Sequence, residues 1–427
     1  MKKLFIILFC FIIKVNLFSN EKFVIINNNK FYIDSCEYYY IGFNYWQGPY
    51  LAADYVSDGR KRLIRELDLM YSYGIRNLRI MASCENSSMI KSLKPTYQEF
   101  PGVYNEKLLD GLDFLLYEMN KRNMKAVLVL NNYWQWTGGM SQYNSWTLNG
   151  YIVDPDLNNN YYEFMKYSAE FYSNKKANEL FQKYIYNLLN RYNKYSKIVY
   201  KDDPCIMSWQ LANEPRPHPE SLKDSTKQKV FIDWIEKSAK YIRSIDKNHL
   251  ISTGNEGLAG CLWDSSMVVK LNSIPFIDYI TVHLWPRNWR WFNGCLTIEK
   301  FDSLYANTSK YLDFHINISE KLQKPLVLEE FGIDRDSCTF SPNSITTVRD
   351  KFFKSVFLKI EEYILNNKGF CGSNIWTWAG EGRPLNQNDY TGDPPQETKG
   401  LNSVYDNDIS TLNVIKDHYN KLEKLKN

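Results

Sequence analysis

The feature that most narrows the possible folds is an alternation. Short apolar runs of strand type recur between amphipathic stretches of helix type. The runs are residues 40–46, 77–81, 125–131, 206–214, 250–255, 279–285, 326–330 and 373–378. Strands buried on both faces read as near-continuous apolar runs. Between them, Leu63, Leu67, Met70 and Tyr71 share one helical face, and Gly74 follows as a C-cap. Leu108, Leu112, Leu115, Leu116 and Met119 form a second stripe, and Leu180, Phe181, Tyr184, Ile185, Leu188 and Leu189 a third. Val348, Phe352, Phe353, Val356, Phe357 and Ile360 mark the helix before the last strand. Alternating strand and helix implies an α/β fold with a parallel sheet. Eight such units in 427 residues point to a closed (β/α)8 TIM barrel as a single domain. An open doubly wound sheet competes, but no G-x-G-x-x-G or P-loop run follows a strand. Residues 23–36 read as a short N-terminal hairpin turning at Asn27-Asn28-Asn29-Lys30, placed to plug the barrel bottom.

Residues 1–20 stand apart from the barrel. Lys2 and Lys3 precede an apolar run from Leu4 to Ile13, too short to span a membrane, and polar residues resume at Lys14. This is a signal-peptide pattern, so residues 21–427 are the expected mature chain, secreted and free of the membrane. An uncleaved N-terminal anchor is the alternative, since Leu17-Phe18-Ser19 is not a small-x-small triplet. Hydrophobic residues make up 44% of the sequence, enough for a large core. Loss of Lys2, Lys3 and Lys14 brings the net charge from +4 to +1. A nearly neutral chain gives no argument for nucleic acid or a polyanionic substrate. Cys36, Cys84, Cys205, Cys261, Cys295, Cys338 and Cys371 would remain. Export permits disulfides, but an odd count leaves at least one thiol unpaired within the chain. No CxxC occurs, and His218, His249, His315 and His418 have no partner at metal-ligand spacing, so no metal site is expected.

Two of the strand-type runs end abruptly in a carboxylate. Ser208-Trp209-Gln210-Leu211-Ala212-Asn213-Glu214 is followed by Pro215, and Pro325-Leu326-Val327-Leu328-Glu329-Glu330 by Phe331-Gly332. In a parallel barrel reactive groups sit where strands end, on the C-terminal face. Two carboxylates delivered there are the apparatus of glycoside hydrolysis. One protonates the leaving oxygen. The other, about 5–5.5 Å away in retaining enzymes, attacks the anomeric carbon. The first must have its pKa raised and the second must stay ionised. Glu329 competes with Glu330, and strand alternation puts the two on opposite sides.

These motifs resemble those of glycoside hydrolase family five. Asn213-Glu214-Pro215 is similar to the family's strand-four motif, which implies Glu214 as acid/base and Asn213 on the sugar 2-hydroxyl. Glu330-Phe331-Gly332 resembles the strand-seven nucleophile motif, and this favours Glu330 over Glu329. Arg79 resembles the strand-two arginine that holds the nucleophile ionised, His283 the strand-six histidine, and Trp376 the strand-eight platform under the sugar. One position departs from the pattern. Two residues after the histidine the family usually has a tyrosine that donates to the nucleophile; here it is Trp285, whose indole N–H is also a donor.

The finer resemblance is to the endo-β-1,4-mannanases of that family. It is carried by Asn131-Asn132-Tyr133-Trp134 with Gly138-Gly139, by Arg216 after the acid/base motif, by 283–289, and by 376–384 with 392–397. It implies substrate contacts from Asn132, Trp134 and Arg216 beside Arg79, Asn213, His283, Trp285 and Trp376. It implies a retaining endo-mannanase acting on mannan, glucomannan or galactomannan, needing no cofactor, monomeric, with the polysaccharide as its partner. The rivals are a family-five β-1,4-glucanase and a non-catalytic carbohydrate-binding barrel; the second would be expected to lack one carboxylate. Trp136, Trp146, Trp289 and Trp291 also lie in long post-strand loops, where indoles either pack the core or stack on sugars.

Overall fold

The computed structural model describes residues 22–426; the leader assigned from the sequence lies outside them. Eight strands form the main sheet among the described residues: β1 (Tyr40–Asn44), β2 (Ile75–Met81), β3 (Lys125–Val129), β4 (Ile206–Gln210), β5 (Leu250–Ser252), β6 (Ile280–Leu284), β7 (Leu326–Phe331) and β8 (Phe370–Ile375). A helix follows each: α1 (Gly59–Ser72), α2 (Glu106–Asn120), α3 (Lys175–Leu189), α4 (Ser225–Ile245), α5 (Ser265–Asn272), α6 (Phe301–Leu322), α7 (Thr347–Leu365) and α8 (Ile409–Leu425). The strands pair in parallel in the order β5-β4-β3-β2-β1-β8-β7-β6. Asp278 joins the two ends: its N–H donates to Ile251 O at 2.8 Å and its carboxylate accepts from Ile251 N at 2.7 Å. This is the (β/α)8 barrel that the alternation implied.

The helix stripes face the sheet as the periodicity requires. Leu63, Leu67, Leu108, Leu112, Leu115, Leu116 and Met119 are fully buried. Tyr71 departs from its stripe and is exposed, with the Arg76 guanidinium 3.8 Å over its ring. Gly74 ends the first helical segment at φ +90°, where a Cβ would sit 2.1 Å from the Tyr419 ring. The N-terminal hairpin adds a third short strand, Cys36–Glu37. Its Phe31 is buried edge-on against Tyr279, at the start of the sixth strand, and so closes the barrel bottom.

The extended runs read from the sequence overshoot the ladders at their C-terminal ends. The regular ladders end at Gln210 and Ser252, but Glu214 and Asn255 lie further along the same runs, where single backbone bonds such as Asn213 N–H to Asn131 O at 2.8 Å continue the pairing. Those irregular ends carry the polar residues of the upper face. The seventh strand carries a further irregularity. Val282 faces Leu328 and His283 faces Glu330, so Glu329 is an extra residue against β6; the register against β8 shifts in the same place. This is a β-bulge. It breaks the expected alternation, and Glu329 and Glu330 both turn into the lumen.

The barrel's last closure is ionic. Asp408, just before the final helix, accepts from Arg335 at 2.6 Å and from Arg349 at 2.9 Å. Both guanidiniums are fully buried. Removing the carboxylate strands two charges in the interior, which costs about 3–5 kcal/mol. Asp408→Ala is therefore expected to lower the urea midpoint of unfolding markedly; a midpoint within experimental error of the parent would show that the cluster does not hold the last unit.

Candidate active site

The lumen beneath the upper face is polar. Arg79, on β2, is buried there with a partner on every side. Its Nε donates to Gln210 Oε1 at 2.7 Å, Nη2 to Asn213 Oδ1 at 2.8 Å, and Nη1 to Asn44 Oδ1 at 2.9 Å and to Glu330 Oε1. Glu329 lies deeper and accepts from Gln210 Nε2 at 2.6 Å and from the Tyr279 hydroxyl at 3.3 Å. The bulge thus sorts the adjacent glutamates by depth. Glu330 meets the cavity above, and Glu329 is sealed in the barrel.

Glu214 reaches the same cavity from the end of the β4 run. Its φ is +49°, a conformation side chains seldom adopt, and its N–H donates to Gly254 O at 2.9 Å. Gly254 must itself be glycine, since a Cβ would fall 1.9 Å from Ala212 O. Two side chains hold the Glu214 carboxylate: Trp134 Nε1 donates to Oε2 at 2.5 Å, and His283 Nδ1 lies 2.8 Å from Oε1. The same Nδ1 is 3.3 Å from Glu330 Oε2. One oxygen of each glutamate and a ring nitrogen of His283 lie within 4.8 Å of one another. Among the described residues only this trio brings three ligand-type atoms together, and each is already engaged in these hydrogen bonds.

The remaining sequence-predicted residues converge here. Asn213 Nδ2 donates to Asn132 Oδ1 at 3.1 Å, which ties the strand-three loop to the strand-four loop. Arg216 pairs with Glu256 at 2.5 Å and stacks 4.9 Å over the Trp134 ring. Trp376 and Trp285 both line the cavity, edge to face at 6.2 Å. Trp285 is not among the hydrogen-bond donors to Glu330 in the described residues; Arg79 donates to that carboxylate, and His283 Nδ1 lies 3.3 Å from it. Of the loop tryptophans, Trp134 and Trp289 line the cavity, whereas Trp136 is fully buried beneath Trp376 and Trp146 packs on Tyr143. The cavity holds about 390 Å³.

Four lining residues lie outside the runs singled out in the sequence: Tyr161, Glu256, Ala259 and Trp263. Glu256 had a signal, since it too is a carboxylate just past a strand-type run. Glu397 lies far along the strand-eight loop, within the 392–397 run that carries the finer resemblance. It accepts from Trp376 Nε1 at 2.9 Å, and burial, with Asp393, Glu330 and Glu214 nearby, holds it protonated well above the carboxylate range.

The trio's electrostatics locate a proton. Burial disfavours charge on His283, but Glu330, Glu214 and Glu329 around it raise its pKa well above the imidazole range. Burial likewise disfavours charge on Glu214, yet the hydrogen bond and charge of His283, with Arg216 and Trp134, hold it down to about 2. The surrounding charges thus favour the protonated form of His283, whose Nδ1 lies 2.8 Å from Glu214 Oε1.

Residues 21–427 match the family model described as "GH family 5 beta-mannosidase-like". The chain belongs to glycoside hydrolase family 5. Mannan endo-1,4-beta-mannosidase 4 of Solanum lycopersicum is 30% identical over 377 residues, 86% of this chain and 85% of that protein. The crystal structure of a glycoside hydrolase family 5 mannosidase from Rhizomucor miehei superposes with a TM-score of 0.86 at 35% identity, covering 94% of this chain and 98% of the other. A variant of that mannosidase was solved with mannosyl-fructose. The family 5 barrel described here is a glycoside hydrolase.

His283→Gln keeps a polar side chain but cannot store the proton. The proton then rests on Glu214, whose acidity is set by burial, Arg216 and Trp134. The alkaline limb of kcat/KM against pH is expected to move to lower pH in this variant. A limb that stays in place would show that the resting proton is not on His283.

Proposed function

We propose that this enzyme is a retaining endo-β-1,4-mannanase that cuts internal bonds of mannan, glucomannan or galactomannan. The observation that carries the mechanism is the closeness of Glu214 and Glu330, with oxygens within 4.8 Å. That separation fits direct attack on the sugar and leaves no room for an interposed water, as inversion requires. Glu330, ion-paired with the Arg79 guanidinium, attacks the anomeric carbon. The glycosidic C–O bond breaks as Glu214 delivers the proton drawn from His283, and the shortened chain leaves. Glu214, now a base, takes a proton from water, which attacks the same carbon and releases Glu330. Trp376 supports the sugar at the cut, and Asn213, oriented by Arg79 and Asn132, faces its 2-hydroxyl. The assignment to mannans rests on the tomato relative and on the finer motifs.

A second reading concerns the mode of attack. The lining residues of the cavity come from the loops after β3 to β8, with none among the described residues from those after β1 and β2. On that side the Tyr390 hydroxyl of the strand-eight loop bonds Lys94 O of the strand-two loop. This closure favours release of sugars from chain ends. The products from linear manno-oligosaccharides separate the two modes: mixed short fragments from the start indicate internal cutting, and mannose alone indicates end-wise attack.

Secretion of a monomer after cleavage near residue 20 completes the proposal. A disulfide, Cys295–Cys338, supports export, because such bonds persist in oxidising compartments.

Glu214→Ala is expected to lose almost all activity on mannan and yet to react with a dinitrophenyl β-mannoside, whose leaving group needs no proton. Added azide should then restore turnover and give the β-glycosyl azide, identified by NMR; an α-azide or no rescue would remove Glu214 from the acid/base role. Reducing sugar should be released from mannan and hardly at all from carboxymethylcellulose. The opposite preference would favour a glucanase.

A further inference from the structure

The strand-five loop presents an indole that none of the roles above uses. Trp263 is 53% exposed, yet it lines the same cavity as Glu214 and Glu330. Large apolar side chains at a surface are ordinary when scattered, but this one is held in place by an unusual backbone. Leu262 and Trp263 both have positive φ, +55° and +65°, a conformation that side chains rarely adopt and that persists only where surroundings impose it.

The surroundings do impose it. Leu258 N donates to His315 Nε2 at 2.9 Å and Ala259 N to the Tyr311 hydroxyl at 3.3 Å; that hydroxyl in turn donates to Glu256 O at 2.9 Å. Asn255 Nδ2 donates to Pro215 O at 2.8 Å, which fixes the loop to the residue after Glu214. Trp263 N closes back on Leu258 O at 2.8 Å, and Asp264 caps α5 directly behind. Burial keeps His315 neutral, with its pKa lowered to about 4, so its Nε2 is free to accept from the loop. The ring of Trp263 stands edge-on to Trp289 at 5.8 Å, and Trp289 leans on Tyr311 at 4.8 Å and Trp291 at 5.1 Å. The Cys295–Cys338 disulfide and the Arg287–Asp334 ion pair tie that strand-six loop to the strand-seven loop. A rigid base with a water-exposed indole at a cavity rim is built for a ligand with a flat apolar face.

The direction of the substrate says which part of it arrives there. The ring being cut sits over Trp376, on the strand-eight side. Its leaving oxygen points to Glu214, so the departing sugars run toward the loops after β4, β5 and β6. Trp134 bonds Glu214 directly and borders the first of them. Trp263 lies beyond the Arg216–Glu256 pair on the strand-five loop. We propose that Trp263, braced by Trp289, is a stacking platform for the second sugar on the leaving-group side, and so makes the enzyme prefer substrates with at least two units beyond the cut. The proposal rests on the glycosidase reading above, and it holds for either mode of attack. Sugar rings offer C–H faces that pack on indoles, and a rigid platform binds them with little ordering cost.

The test is a ratio. kcat/KM is measured on mannotetraose, which reaches Trp263, and on 4-nitrophenyl β-mannoside, which carries one ring beyond the cut. The ratio of the two does not depend on how much of a preparation is folded. In Trp263→Ala it is expected to fall by about tenfold relative to the parent. Trp263→Phe, which keeps a ring, is expected to retain most of it. A parental ratio in the alanine variant, or a phenylalanine variant as impaired as the alanine one, would overturn the platform. A parent inert on both substrates would overturn the glycosidase reading itself.

Discussion

The active site depends on one buried guanidinium. Arg79 stands in the upper lumen of the barrel, where a charge without partners would be untenable. It is satisfied by Asn44, Gln210, Asn213 and Glu330, contributed from the first, fourth and seventh β-units. Four carboxyl groups line the cavity above: Glu214, Glu256, Glu330 and Glu397. They coexist because each is treated differently. Glu330 is charge-paired with Arg79, Glu214 is bonded to His283, Glu256 is paired with Arg216 and raised to about 7 by burial, and Glu397 is kept neutral. Two carboxylates with separate fates, ionised attacker and proton carrier, are what the double displacement requires.

A single extra residue places the proposed nucleophile. Without the bulge at Glu329, consecutive side chains on the seventh strand would point to opposite faces of the sheet. With it, Glu329 locks onto Gln210 and Tyr279 inside the barrel, while Glu330 rises to the cavity floor. Phe331 then turns outward onto Phe353 and Phe357 of α7, which anchors the end of the strand in the helix layer. The geometry of the chemistry is thus fixed by packing on the opposite side of the sheet.

Much of this is legible in the sequence because burial leaves a simple trace. A parallel strand covered on both faces must be apolar along its length, so eight such runs announce the barrel, and a carboxylate ending a run announces the upper face. Glu214, Glu330, Arg79, Asn213, His283 and Trp376 all sit at such ends or just before them. Other features leave no trace of that kind. The bulge at Glu329 is a choice of register between strands, and the Trp285 geometry depends on where a neighbouring strand stops. Glu397 and Trp263 lie in long loops whose path is set by distant contacts, such as His315 with Leu258. The Cys295–Cys338 pairing joins two loops that only the closed barrel brings together.

The assignment of the nucleophile is tested most directly by trapping it. A 2-deoxy-2-fluoro-β-mannosyl fluoride slows the release of the glycosyl-enzyme more than its formation, so the covalent intermediate accumulates. Proteolysis and tandem mass spectrometry then locate the sugar within the peptide spanning Leu326 to Phe331. The sugar esterified to Glu330 is the expected result. A label on Glu329, or inactivation without any covalent adduct, would contradict it.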